Sequence, residues 1–357
     1  MSKTAFTFIR FSIKEQTFFA KRMSFLVKAG VPLVECLHLI RTQTKSPAKK
    51  RVYDAVIADV SNGQYLSTSL GKFRRLFGDF AISLIRVGEK SGILSQNLAY
   101  LADELQKKQI LQRKVIGTLV YPIFITAATL GVTGVLTAYI FPKLMPIFTS
   151  LHVELPITTR TLIWVSAYLR DWGIYTLLGL IILVAALLII RRKFEDVRFW
   201  GDRILLSIPL AGSVARAYNL TNFCRTLGLL LRSGVTLTDA IEITAETTTN
   251  RVYRRACADM AGQVIRGGPV SQGLGARRDL YPDILVHMVA IGEKTGNLST
   301  TLTYLGELHE SEVDELAKGL SSSIEPALMI VMGFLVGLIA VSVITPIYDI
   351  TQHLQPT

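Results

Sequence analysis

Gly88-Glu89-Lys90-Ser91-Gly92-Ile93-Leu94 recurs as Gly292-Glu293-Lys294-Thr295-Gly296-Asn297-Leu298. The register between the copies, position 88 onto position 292, extends in both directions without a gap. Upstream, Phe19 meets Phe223, Leu26 meets Leu230, and Gly30-Val31-Pro32-Leu33 meets Gly234-Val235-Thr236-Leu237. Downstream, Tyr100-Leu101 meets Tyr304-Leu305, Pro122 meets Pro326 and Pro142 meets Pro346. The chain is a tandem duplication. Each copy begins in a polar, periodically patterned segment and ends in an apolar one.

The patterned segments read as helices. Ser12-Ile13-Lys14-Glu15 has the form of a capping box. Phe19, Met23 and Leu26 follow at helical spacing, as do Phe223, Leu227 and Leu230. Gly30 and Gly234 then fit helix C-terminal caps, and Ser46-Pro47 fits an N-cap with proline at the first helical position. Six short helices are expected per repeat, in the first over 15–29, 33–44, 47–62, 66–71, 78–89 and 94–114.

Three stretches are apolar enough to cross a bilayer, which takes about 20 residues. They are 115–142, 172–190 and 324–348, and Val115–Pro142, Trp172–Ile190 and Pro326–Tyr348 carry no charge. Lys107, Lys108, Arg113 and Lys114 precede the first span, and Arg191, Arg192 and Lys193 follow the second. The positive-inside rule puts these clusters in the cytoplasm. The start of the chain, with Lys3 and Arg10, lacks the form of a signal peptide and is expected there too. The expected organisation is a first cytoplasmic helical-bundle repeat (1–114), transmembrane helix 1 (115–142), an external loop (143–171) and transmembrane helix 2 (172–190). A second cytoplasmic repeat (191–323), transmembrane helix 3 (324–348) and an external tail (349–357) complete it. The middle span belongs to neither copy and returns the chain to the cytoplasm. Both repeats then share one orientation, which predicts a pseudo-two-fold axis along the membrane normal. The fold class is all-α: an integral membrane protein with two homologous six-helix cytoplasmic bundles and three transmembrane helices.

Composition supports this division. Of 357 residues, 50% are apolar and only 18% are charged, yet the net charge is +12. Soluble domains carry about 25% charge, and disordered chains are far less apolar. The excess is local. Residues 1–117 hold 20 Lys and Arg against 8 Asp and Glu, whereas residues 191–323 hold 16 against 15. Lys49-Lys50-Arg51 and Lys72, Arg74 and Arg75 are the densest clusters, and an anionic lipid surface or an acidic protein is their expected partner. No aromatic-interleaved basic motif points to direct nucleic-acid contact.

Catalytic patterns are lacking. There is no phosphate-binding Gly-x4-Gly-Lys-(Ser/Thr), no His-Glu-x-x-His and no nucleophile with a base at fixed spacing. Cys36, Cys224 and Cys257 form no paired motif and are expected as buried apolar side chains. No enzyme activity, cofactor or metal site is expected. His309, Glu310, Glu312, Asp314 and Glu315 read as a solvated acidic helix face. The duplicated Gly-Glu-Lys-(Ser/Thr)-Gly element has two readings. It is a tight interhelical turn, with Gly88, Gly92, Gly292 and Gly296 structural, or a partner contact through Glu89 and Glu293. Pro122 and Pro326 read as kinks or helix starts. Gly333-x-x-x-Gly337 reads as a close helix-packing face. A small-solute secondary transporter subunit is the rival reading of a duplicated membrane chain, although the spans hold no charge that could carry an ion or proton.

Phe19-x6-Leu26-x3-Gly30-Val31-Pro32-Leu33, Gly88-Glu89-x-Ser91-Gly92-x-Leu94 and Tyr121-Pro122, with the second copy reaching Glu325-Pro326, resemble the type II secretion protein F / type IV pilus platform family (GspF/PilC). The resemblance covers residues 15–348. Many family members carry a further stretch before the first helical domain, which this sequence does not. The resemblance implies a prokaryotic inner-membrane platform, multi-pass, with a cytoplasmic N-terminus and a periplasmic C-terminus. Its implied partners are a hexameric assembly ATPase, pilin or pseudopilin subunits and other inner-membrane alignment-complex proteins; the basic clusters add membrane lipid, and the packing faces of the spans favour further copies of the chain.

Overall fold

A computed structural model of the chain describes residues 11–135, 137, 139, 143 and 157–353. Every regular element among the described residues is helical. Lys3, Arg10, Pro142, the first part of the expected external loop and residues 354–357 of the expected tail lie outside them.

The first repeat opens with α1 (Ile13–Lys28), α2 (Leu33–Gln43), α3 (Pro47–Ser61) and α4 (Leu66–Gly71). A single turn, α5 (Arg74–Phe77), leads to α6 (Asp79–Ser91) and the long α7 (Leu94–Val135). Then come α8 (Ile157–Lys193) and α9 (Glu195–Ser207). The second repeat contains α10 (Ala211–Arg232), α11 (Leu237–Thr247), α12 (Arg251–Ile265), α13 (Val270–Gly275), α14 (Asp283–Thr295) and α15 (Leu298–His353).

Local chemistry accounts for the ends. Ser12 and Glu15 form the reciprocal capping box: the Glu15 carboxylate accepts from Ser12 N at 2.8 Å, and Ser12 Oγ from Glu15 N at 3.3 Å. At the other end Gly30 takes φ +82°. Its N–H reaches Val27 O, and Val31 N reaches Leu26 O, both at 3.1 Å. This is a Schellman stop. Gly234 and Val235 repeat it on Leu231 and Leu230 at 3.0 Å. Ser46 stands at the α3 N-cap with Pro47 in the first turn, although its side chain makes no cap bond.

The chain divides into two compact units. One takes the chain up to Val115 together with Phe199–Leu316; the other takes Ile116–Arg198 and the chain from Ala317. In the first unit both repeats bury corresponding residues. Phe19, Met23, Cys36, Leu37, Val52 and Tyr53 are matched by Phe223, Leu227, Ala240, Ile241, Ala256 and Cys257. All belong to one continuous core. Cys36, Cys224 and Cys257 are free and buried.

Four expectations change. The sixth helix of the first repeat does not stop near 114; it runs on as α7 to Val135. Nothing between Lys114 and Val115 breaks it, because apolar and charged residues alike propagate a helix. The middle helix starts at Ile157 rather than Trp172, so part of the expected loop 143–171 is helical. α15 likewise continues through 349–353, within the expected tail. Finally, the cytoplasmic parts of the repeats do not meet about a two-fold axis. α6 of the first packs on α11 of the second. A two-fold would also bring α2 onto α14, but Leu39 and Ile284 of those helices are 44% and 56% exposed. The contact pairs unlike faces of one fold.

In the second unit, α7 and α15 touch where Thr129 Oγ1 lies 2.8 Å from Met332 Sδ. Ser166 Oγ of α8 donates to Thr137 O at 2.5 Å. Leu94–Val135 and Leu298–Ser342 are each long and apolar enough to cross a membrane, and Asp171–Leu187 is a shorter apolar stretch. Phe124 and Phe334 are more than two-thirds exposed on these helices.

Candidate functional site

The duplicated turn is the same device in both repeats. α6 ends at Gly92 with φ +72°, and α14 ends at Gly296 with φ +71°. Only glycine reaches that region without a Cβ penalty. Gly88 and Gly292 serve a different need. A Cβ on Gly88 would stand 2.9 Å from Leu94 Cα, and one on Gly292 would stand 2.8 Å from Thr301 Oγ1. These glycines let α6 and α14 approach the helices that follow them.

Glu89 and Glu293 point back across their bundles. The Glu89 carboxylate accepts the backbone N–H groups of Leu66 (2.5 Å) and Ser67 (2.9 Å). Glu293 accepts those of Val270 (2.5 Å) and Ser271 (2.9 Å). These are the open donors at the starts of α4 and α13, where Tyr65 and Pro269 offer no side-chain cap. A carboxylate from another helix supplies what the local sequence lacks. Both glutamates are half-buried by this use.

Half of the residues of the basic clusters are paired within the chain. Lys49 bonds Glu15, and Lys72 bonds Asp59 at 2.7 Å. Burial alone would raise the Asp59 carboxyl, but Lys72 and Ser69 hold it below its ordinary range. Arg74 pairs with Asp79 and with Glu246 of the second repeat, the latter at 2.6 Å. Arg51 and Arg75 are exposed and Lys50 is half-buried.

The supposed solvated acidic face is in part interior. His309 is 3% exposed, and its Nδ1 lies 2.7 Å from Glu312 Oε2. Its Nε2 is buried without a hydrogen-bond partner among the described residues. Glu310 pairs with the buried Arg225, and Asp314 accepts from Lys114 of the first repeat at 2.6 Å. α15 turns this face toward α10 and α7 instead of toward solvent. Glu312 and Glu315 stay exposed. No group of three His, Cys, Asp or Glu side chains that could hold a metal occurs among the described residues.

A polar cavity of about 270 Å³ lies between the repeats, lined by Glu104, Lys108, Asn219, Asn222 and Thr226 among others. Burial pushes the Glu104 carboxyl up, while Arg225, Lys107 and Lys108 oppose this. Burial pushes Lys108 down against the pull of Glu104. Sequence reading missed Arg225, Glu104 and His309 as interior groups. A signal existed for one of them: Arg225 interrupts the apolar run from Phe223 to Leu230.

Pro122 lies inside α7, and Thr126 Oγ1 donates to its carbonyl at 2.7 Å. Pro326 lies likewise within α15, so neither proline starts a helix. Gly333 and Gly337 are exposed, and a Cβ on either would meet nothing within 4 Å. Among the described residues nothing packs on the face they mark.

Comparison with known proteins places the duplication. The model of the family described as Type II secretion system (T2SS), protein F, matches residues 19–142 and again 223–346. A Type IV pilus assembly protein PilC of Thermus thermophilus is 33% identical over 346 residues, 96% of this chain and 84% of that protein. A Type II secretion system protein F of Pseudomonas aeruginosa is 30% identical over 97% of this chain and 85% of its own. A PilC of Myxococcus xanthus is 29% identical over 96% and 82%. Two in-register matches to one family model, with similarity over most of the length of both kinds of relative, leave one assignment: the chain belongs to the type II secretion system protein F family.

Proposed function

We propose that this protein is the inner-membrane platform of a type IV pilus or type II secretion machine. It couples a hexameric cytoplasmic ATPase to the addition of pilin or pseudopilin subunits, as a non-enzymatic component. Three spans (α7, α8 and α15) would anchor it with the N-terminus cytoplasmic and the C-terminus external. The cytoplasmic helical repeats would face the ATPase, alignment-complex proteins and lipid headgroups, and several copies would share the membrane. The secondary-transporter alternative is set aside, because both repeats match a secretion-system family.

The observation that carries the reading is the continuity of α7 and α15. Each begins inside a bundle, at Leu94 or Leu298, and runs unbroken into a membrane-length apolar stretch. In this reading a displacement of a bundle is passed along the same helix to a hydrophobic subunit lying against its apolar stretch. The exposed Phe124, Phe334, Gly333 and Gly337 supply apolar and small contact surface there. Deletion of the gene should abolish surface pili or secretion of the machine's substrates while pilin levels persist. Normal assembly and secretion in the deletion strain would refute the proposal.

A further inference from the structure

The internal contact between the repeats predicts a contact between copies. From the first repeat it uses α6 and α7; from the second, α10 and α11. Arg232 Cζ stands 5.0 Å from the Tyr100 ring, and Arg74 donates to Glu246. Phe80, Val87 and Tyr100 on one side are half-buried, as are Leu229 and Ile243 on the other. Because unlike faces meet, each repeat has spent only one of two complementary faces.

The register identifies the faces left over. The equivalents of Leu229 and Ile243 are Phe25 and Leu39 of the first repeat, which are 73% and 44% exposed. They flank an open groove of about 760 Å³ between α1, α2 and α7. The equivalents of Phe80, Val87 and Tyr100 are Ile284, Ile291 and Tyr304 of the second repeat, which are 56%, 58% and 55% exposed. Isolated exposed apolar side chains are ordinary, but clustered ones mark contact sites. These two clusters occupy the positions that the fold already uses to bind itself.

Charge agrees with the fit. Lys21, Arg22 and Lys28 line the groove of the first repeat. Asp283 and Glu307 lie beside the apolar cluster of the second, at positions equivalent to Asp79 and Asp103. The basic side chains of the groove would meet these two carboxylates, of which Asp283 also lies 3.5 Å from Arg278 of its own repeat.

We propose that a second copy of this chain covers these faces: the α1/α2 face of one copy's first repeat seats on the α14/α15 face of another copy's second repeat. The contact is head-to-tail, so it closes into a ring when the rotation per copy divides a full turn. In such a ring neither of these two faces is left uncovered on any copy. The inference deepens the platform reading, resting on it only for the presence of several copies in one membrane.

The test uses full-length protein in membranes. Two differently tagged copies are co-expressed, one with Lys28→Cys and one with Tyr304→Cys, the equivalents of Arg232 and Tyr100. The native cysteines are buried. A short bis-maleimide joins the introduced ones, since these long side chains separate their backbones beyond disulfide reach. Arg232→Cys with Tyr100→Cys in one chain is the reference. The expected result is a mixed-tag product, absent when either single-cysteine copy is expressed alone. A Lys28→Cys homodimer product would overturn the proposal, as would no product between copies while the reference cross-links. Native mass separates the causes. A single-copy mass defeats the several-copies reading; a multi-copy mass without the mixed product defeats only this interface. Phe25→Asp should in addition reduce the native mass, whereas Ile265→Asp, at an exposed position on α12, should not. Loss of co-purified ATPase in Phe25→Asp at unchanged mass would assign the face to the ATPase and overturn the proposal.

Discussion

Glu89 accepts the backbone N–H of Ser67 at 2.9 Å, spanning 22 residues of chain to close the start of α4. Glu293 does the same for Ser271. An element read as either a turn or a partner contact is thus also a tertiary helix cap, built once and duplicated.

Glu89→Ala leaves two backbone donors at the α4 start without their carboxylate. Loss of a cap costs about 0.5–2 kcal/mol. Thermal unfolding of the full chain in detergent should show this loss, and Glu293→Ala should lose a similar amount. Unchanged unfolding in both variants would mean that the carboxylates do not carry the caps.

Glycines separate packing inside the chain from packing against a partner. Gly88→Ala places a methyl 2.9 Å from Leu94 Cα and should cost about 1–3 kcal/mol by overpacking. Gly333→Ala meets open space and should leave thermal stability unchanged. If the Gly333 face receives a pilin-like helix, the same variant should reduce pilus assembly. Stability measured beside assembly separates the two effects.

Arg225 is almost wholly buried against Glu310. Arg225→Ala abandons a carboxylate in the interior and should cost about 3–5 kcal/mol, whereas replacing both partners by apolar residues is often neutral. Denaturant unfolding of Arg225→Ala and of Arg225→Met with Glu310→Leu should show the first far less stable than the second. Equal losses would mean that lost packing, not the stranded charge, dominates.

Glu104 carries a pH signature. Burial raises its folded-state pKa, so the folded chain holds this proton more tightly than the unfolded chain does. Stability from this group is present in acid and is lost as pH rises through the folded value. Glu104→Gln should therefore be the more stable protein at pH 8, with the difference shrinking towards pH 4. A variant that loses stability progressively as pH rises would contradict this, and would mean that Arg225, Lys107 and Lys108 outweigh burial.

The duplication made most of the fold legible. Strong local signals, such as Ser12 with Glu15, Gly30 and Gly234, mark the helix ends where the chain has them. The continuation of α7 past Lys114 was hidden, because a helix carries no mark where it leaves one environment for another. The site was less legible. Lys49, Lys72 and Arg74 belong to two basic clusters in sequence, yet each meets a carboxylate in the fold, and those of Glu15 and Glu246 lie far away along the chain. Reversing the clusters would therefore break the bundle before it tested a partner. The inward turn of His309 and Glu310 was hidden for the same reason: it depends on Arg225, 85 residues earlier than Glu310. The uncovered faces became visible only when equivalent residues of the repeats were compared for burial.

The central claim is that this chain links an assembly ATPase to subunit addition in the membrane. Affinity purification of the tagged full-length protein from its own cells, followed by identification of the co-purified assembly ATPase, tests it most directly. The account predicts recovery of that ATPase, with pilin or pseudopilin in the same eluate. Absence of both from the eluate, with pili and secretion intact in the deletion strain, would contradict it.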